Sequence, residues 1–205
     1  MKPFIAHRGL KKTAKENTIS AFLDAIQSPY YAGFECDVRT TKDHVFVIVH
    51  DAIVGMKRVR DMTYSELKKN YAIPSLESVL NLQTDKIMLL EIKESDFDVP
   101  KFLKLLRKYS EKNLYVMSFF NSVIQRLAAM NCPCKLGVLN YVLNSEEDYQ
   151  EYQFICLLEA IVSPKLIQYF TEKHMEVFLY GIHHFEKTKE LYPQTYLITD
   201  EIIES

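Results

Sequence analysis

Short apolar runs rich in β-branched and aromatic residues recur along the chain, and most are separated by segments with helical hydrophobic periodicity. This alternation constrains the fold more than any other feature. The runs are Phe4 to Ala6, Gly33 to Val38, Val45 to Val49, Ile87 to Ile92, Leu114 to Met117, Leu136 to Leu139, Val177 to Tyr180 and Tyr196 to Ile198, and each reads as a strand. Amphipathic helices are expected at Thr18 to Gln27, Ser75 to Leu82, Val99 to Tyr109, Ser122 to Met130 and Pro164 to Lys173. Pro74-Ser75 and Ser163-Pro164 put helix-starting residues at two of these boundaries. Strand and helix in repeated alternation make a parallel sheet with helices outside it. With 205 residues, the expectation is an α/β fold, one (β/α)8 barrel near the lower size limit, forming a single domain over residues 1–205.

Two places leave the strand count open by one. The join from Arg39 to His44 is short and polar, so the runs on either side of it also fit a hairpin. Ala160 to Ser163 is a candidate for a further short strand.

Composition narrows the function by exclusion. A formal net charge of -2 with no basic stripe argues against nucleic acid as a partner. The apolar start before His7 is too short for a signal peptide or a membrane span, so a cytoplasmic location is expected. Cys36, Cys132, Cys134 and Cys156 read as free thiols, because the Cys-x-Cys at 132 and 134 lacks a second ligand pair.

Polar residues gather where the apolar runs end: His7 and Arg8, Glu35 and Asp37, His50, Glu91 and Lys93. In a parallel barrel, C-terminal strand ends share one rim. Side chains alternate along a strand, so Glu35 and Asp37 point the same way and Cys36 points out toward the helices. Two carboxylates in one small volume, joined by Glu91, repel unless a cation neutralises them, and a hard ion such as Ca²⁺ or Mg²⁺ suits oxygen ligands. The rival reading pairs Glu35 and Asp37 with Arg39 and Lys42 as surface ion pairs. His7 and His50 are candidates for an acid and a base. Arg8 and Lys93 offer a guanidinium fork and an ammonium to the oxygens of a phosphate diester, and Lys93 as a Schiff-base lysine is the alternative.

His7-Arg8-Gly9, Glu16-Asn17-Thr18, Glu35-x-Asp37, His50-Asp51 and Glu91-Ile92-Lys93 occur in the order found in the glycerophosphodiester phosphodiesterase family, which the chain resembles from end to end. Ile73-Pro74-Ser75-Leu76-Glu77, Ser118-Phe119 and Ile198-Thr199-Asp200 extend the likeness. The resemblance implies metal-dependent hydrolysis of a small-molecule glycerophosphodiester to sn-glycerol 3-phosphate and an alcohol. Glu35, Asp37 and Glu91 would bind a divalent metal, Ca²⁺ or Mg²⁺, and His7 and His50 would form the acid-base pair. Arg8 and Lys93 would hold the phosphate, Phe119 would lie beside the glycerol or leaving group, and Glu16 and Asn17 would support the site.

Two departures from the family pattern stand out. Tyr180-Gly181-Ile182-His183 stands where the family commonly has Trp-Thr-Val-Asn, and the stretch from Ala52 to Tyr71 is short, which implies a shortened or absent cap and a more open site. A larger alcohol, as in a lysophospholipase D or a polymer-directed diesterase, is therefore an alternative; so is a catalytically silent phosphate-binding barrel. Pairing into a homodimer is left open, and His174, His183 and His184 receive no chemical role.

Overall fold

The parallel alternation closes on itself. A computed structural model describes residues 4–12, 14–142, 149 and 151–203. Its barrel is built from β1 (Phe4–Ala6), β2 (Tyr31–Thr40), β6 (Ile87–Ile92), β7 (Leu114–Ser118), β8 (Lys135–Asn140), β9 (Phe154–Leu158), β10 (Glu176–Tyr180) and β11 (Tyr196–Thr199). Each strand pairs in parallel with its neighbours, and β1 meets both β11 and β2, which leaves no edge in the ring. Outside it lie α1 (Ile19–Gln27), α3 (Leu76–Leu80), α4 (Val99–Leu106), α5 (Asn121–Ala129), α6 (Pro164–Glu172) and α7 (Phe185–Leu191).

The helix starts are fixed by side chains on orphan backbone donors. Thr18, Ser75, Asp98 and Ser163 each accept an N–H from the first turn of the helix that follows. The apolar faces of these helices meet the outward files of the strands, where Cys36, Phe34 and Val38 of β2 are fully buried.

One expected barrel strand is not in the ring. The run Val45 to Val49 forms β3 (Phe46–Ile48), which pairs antiparallel with the upper part of β2, Val38 opposite Ile48 and Thr40 opposite Phe46. Residues 41 to 45 are too few for the crossover that a parallel neighbour needs. Thr41 closes the turn, its N–H donating to the Val45 carbonyl at 3.0 Å while its hydroxyl accepts the Val45 N–H at 2.9 Å. The missing eighth strand is β9, which the sequence reading passed over. Ala160 to Ser163 is not a strand, because Glu159–Ile161 is a 3-10 turn leading to the Ser163 cap. Ala52 to Tyr71 holds a two-stranded hairpin of β4 (Ile53–Val54) and β5 (Lys57–Arg58), a 3-10 turn, and α2 (Tyr64–Tyr71).

The barrel interior is a second, separate apolar layer. The rings of Tyr115, Phe154, Phe178 and Tyr196 pack with centroids 4.6 to 5.6 Å apart and fill its lower half. Gly137 makes room for one of them, since a Cβ there would lie 2.5 Å from the Phe154 ring. Beneath the rings Lys135 donates to the Tyr115 hydroxyl at 2.6 Å and pairs with Glu176 at 3.0 Å, which satisfies the polar ends of this floor. Among the described residues no helix is long and apolar enough to cross a membrane.

Candidate active site

Parallel register brings the acids together. On β2 and β6, Asp37 stands opposite Glu91 and Glu35 opposite Leu89, all in files that face the interior. The ligand oxygens of Glu35, Asp37 and Glu91 lie within 4.8 Å of one another, and all three residues are buried. The sequence rival, in which Glu35 and Asp37 pair with Arg39 and Lys42 at the surface, does not describe this arrangement.

Each acid is held differently. Asp37 accepts from the Asn17 side chain at 2.7 Å, has the Arg8 guanidinium 3.2 Å away and Lys93 at 3.4 Å. Glu91 accepts from Lys93 at 2.5 Å. Glu35 accepts the Arg8 backbone N–H at 3.0 Å through one oxygen, while its other, Oε1, is buried without a hydrogen-bond partner. Burial, followed by the Asp37 and Glu91 charges, pushes the Glu35 carboxyl well above the usual carboxylate range. Burial raises Glu91 as well, against the pull of Lys93. Three carboxylates thus face two cationic side chains, with one oxygen left over, and this donor set fits a hard divalent ion.

The loop after β1 is shaped to serve this cluster. Arg8 and Asn17 both adopt left-handed backbone, with φ of 56° and 55°, and the Asn17 N–H donates to the Arg8 carbonyl at 2.8 Å. Asn tolerates that conformation better than most residues, whereas an Arg there is uncommon. The turn aims the Arg8 N–H at Glu35 and the Asn17 amide at Asp37. Glu16 reaches back to Arg8 at 2.8 Å. Burial alone would lower the Arg8 pKa; the charges of Asp37, Glu16 and Glu35 outweigh it and hold it above its ordinary value.

His7 and His50 enter one cleft of about 440 Å³ from different routes. His7 follows β1, and its backbone N–H donates to the Thr199 carbonyl at 3.0 Å. His50 descends from the hairpin: the Val49 N–H donates to the Asp37 carbonyl at 2.9 Å, which sets the next residue on the rim beside the acids. Each imidazole has its own carboxylate. His7 Nδ1 lies 3.0 Å from Asp200 and His50 Nδ1 2.9 Å from Asp51. Asp200 also binds Lys11, and the His7 contact, then Lys11, holds its carboxyl far below the usual range.

Arg8, Glu91, Lys93 and Phe119 line the same cleft, together with Tyr180, Gly181, Ile182 and His183. Phe119 is 38% exposed at the mouth, with ring centroids 5.5 Å from Tyr141 and 6.1 Å from Tyr180. His7, Arg8, Glu35, Asp37, His50, Glu91, Lys93 and Phe119 therefore meet at one site, with Glu16 and Asn17 in its supporting loop. Sequence reasoning missed the pairing of Asp200 with His7, which spans 193 positions and leaves no local signal. It also assigned nothing to His183, which lines the cleft.

The sequence matches the glycerophosphoryl diester phosphodiesterase family over residues 7–119. It is 35% identical to a glycerophosphodiester phosphodiesterase of Caldanaerobacter subterraneus over 66% of this chain and 65% of that one. It is 37% identical to one of Bacillus altitudinis over 49% of each. The matched stretches thus span about two thirds and about half of those relatives. The solved structure of a glycerophosphodiester phosphodiesterase from Thermotoga maritima superposes with a TM-score of 0.79 at 26% identity, covering 97% of this chain and 94% of that one. The family match spans more than half of the sequence, and the chain belongs to the glycerophosphoryl diester phosphodiesterase family.

Proposed function

We propose that this chain hydrolyses small glycerophosphodiesters to sn-glycerol 3-phosphate and an alcohol, using His7 and His50 as an acid-base pair beside a divalent cation. The observation that carries this reading is the convergence of three buried carboxylates, within 4.8 Å, on a cleft that also holds two carboxylate-braced imidazoles. Glu35, Asp37 and Glu91 would hold Ca²⁺ or Mg²⁺, whose charge would polarise the diester and offset negative charge growing on its oxygens.

The side chains do the rest. Asp200 and Asp51 engage the Nδ1 atoms of His7 and His50, which leaves each Nε2 for the substrate and fixes the ring planes. One imidazole takes the proton of the nucleophile, either water or the substrate's neighbouring hydroxyl, and the other gives a proton to the departing alcohol. Arg8 and Lys93, drawn to the cluster by Asp37 and Glu91, supply positive charge for the non-bridging phosphate oxygens. Phe119 and Tyr180 offer ring faces to the organic part of the substrate.

The test is release of glycerol 3-phosphate from glycerophosphocholine, with and without exhaustive chelation. Turnover is expected with Ca²⁺ or Mg²⁺ and lost on chelation. Undiminished turnover after metal removal refutes the role given to the three acids, and binding of glycerol phosphate without turnover under any metal refutes the enzymatic reading.

A further inference from the structure

β2 does not stop at the rim. Its inward file, Glu35 and Asp37, continues one step further to Arg39, above the acid cluster, where the strand is paired on one side only by β3. Arg39 is 13% exposed and has no place in the reaction described so far. Both its Nε and its Nη2 donate to one acceptor, the backbone carbonyl of His50, at 2.9 and 2.7 Å. The β2–β3 ladder has ended one residue earlier, at the Val49 N–H, so this fork takes over where the sheet lets go.

The carbonyl of His50 belongs to the peptide unit that joins His50 to Asp51. Gripping it with two donors in one plane fixes the rotation of that unit, and with it both members of the imidazole–carboxylate pair. The guanidinium is steadied from behind by Glu94, whose Oε1 lies 4.0 Å from Nη1 and whose Oε2 accepts the Thr40 N–H at 3.1 Å. Glu94 is thus anchored to β2 itself. A lysine could not replace Arg39 fully, because an ammonium is a point charge without the planar fork.

We propose that Arg39, backed by Glu94, is a positioning residue for His50: it holds the His50–Asp51 peptide so that the imidazole meets the substrate from the hairpin side. This rests on the reading of His50 as one of the acid-base pair. Without the fork the β3 end is tied to the acid site by the Val49 N–H on the Asp37 carbonyl, one residue short of His50, and the imidazole samples orientations that are unproductive for proton transfer while substrate binding is kept.

The experiment is a double-mutant cycle on the full chain in the presence of Ca²⁺. Arg39→Met is expected to lower kcat about 10- to 100-fold with KM changed less than about 3-fold, since displaced catalytic groups cost turnover rather than binding. Arg39→Lys should recover part of the loss, and Glu94→Gln should lose about 3- to 10-fold. In a His50→Ala background Arg39→Met should have almost no further effect, whereas a residue with a merely structural role would lower kcat there by the same factor as in wild type. Arg58→Gln, which removes an exposed arginine paired with Asp61, serves as a control expected to leave turnover unchanged. Wild-type kcat in Arg39→Met, or a loss that adds in full to that of His50→Ala, overturns the positioning role alone. Wild-type turnover in His50→Ala overturns it together with the reading of His50. If Arg39→Met does not fold, Arg39→Lys and Glu94→Gln carry the same cycle and the same outcomes.

Discussion

Replacing Glu35 by Gln should change stability in opposite directions with and without metal. The substitution keeps the shape of the side chain and an acceptor for the Arg8 N–H, and it removes one charge from a cluster whose oxygens lie within 4.8 Å of one another. At an effective dielectric of about 20, like charges at such a separation repel by roughly 3 kcal/mol. With partial neutralisation by Lys93 and Arg8, a net gain of about 1–3 kcal/mol is expected in the metal-free variant, a rise in melting temperature of roughly 3–10 °C for a chain of this length. The gain depends on pH. The Glu35 carboxyl sits well above its unfolded value of about 4.3, so the stability it contributes is intact below that pH and lost as pH rises through the folded value. Gln does not titrate, so the advantage of the variant should be near zero around pH 4 and grow upward from there. Saturating Ca²⁺ is expected to reverse the order: at about 1,000 times Kd it would stabilise wild type by roughly 4.1 kcal/mol, most of which the variant would forfeit. Thermal melts in chelator and in Ca²⁺ across this pH range read both effects. A variant less stable than wild type in chelator at neutral pH, or one that keeps the full Ca²⁺ shift, refutes the account of the cluster.

Other expectations are simpler. His7→Ala and His50→Ala should each reduce turnover by about 10²- to 10⁴-fold with the fold intact, measured by glycerol 3-phosphate release and circular dichroism. Phe178→Ala deletes a fully buried ring stacked on Tyr196 and packed edge-on to Tyr115 and Phe154; it should cost about 3–5 kcal/mol in urea unfolding, and a cost under about 1 kcal/mol would mean the floor repacks. Asp200 is held below the ordinary carboxylate range by His7 and Lys11, so its stabilising contribution is present above its unfolded value of about 3.9 and lost as pH falls through the folded one. The stability gap between wild type and Asp200→Asn should therefore shrink only below about pH 4 in acid titrations of urea midpoints; shrinkage already between neutral pH and about pH 5 would contradict the pairing.

How much of this was legible in the sequence depended on the range of the signal. Glu35-x-Asp37 and Glu91-x-Lys93 could be placed because strand alternation is local, and the barrel's register then set Asp37 opposite Glu91. The α3 and α6 starts were legible because caps are local too. Phe154–Leu158 was missed because an unbroken apolar run has no period to read: Phe-Ile-Cys-Leu-Leu suits a buried strand and a buried helical turn equally. The run from Val45 to Val49 took its place in the count, although the short polar join before it already allowed the hairpin that forms. The strand-end reading put His50 on the rim, and His50 does line the cleft, but it arrives on an antiparallel arm and not at a barrel strand's end. Asp200 and Arg39 act on partners that only the closed ring and the returning hairpin bring near.

The packed rings of Tyr115, Phe154, Phe178 and Tyr196, sealed below by Lys135 and Glu176, make the barrel a cup and not a tube. If the chain cleaves a diester as proposed, the reactant and both products would pass the same doorway, framed by Phe119 and Tyr180. On the proposed reaction, a phosphomonoester that lingered there would bar the next diester, and competitive inhibition by glycerol phosphate is the expected result.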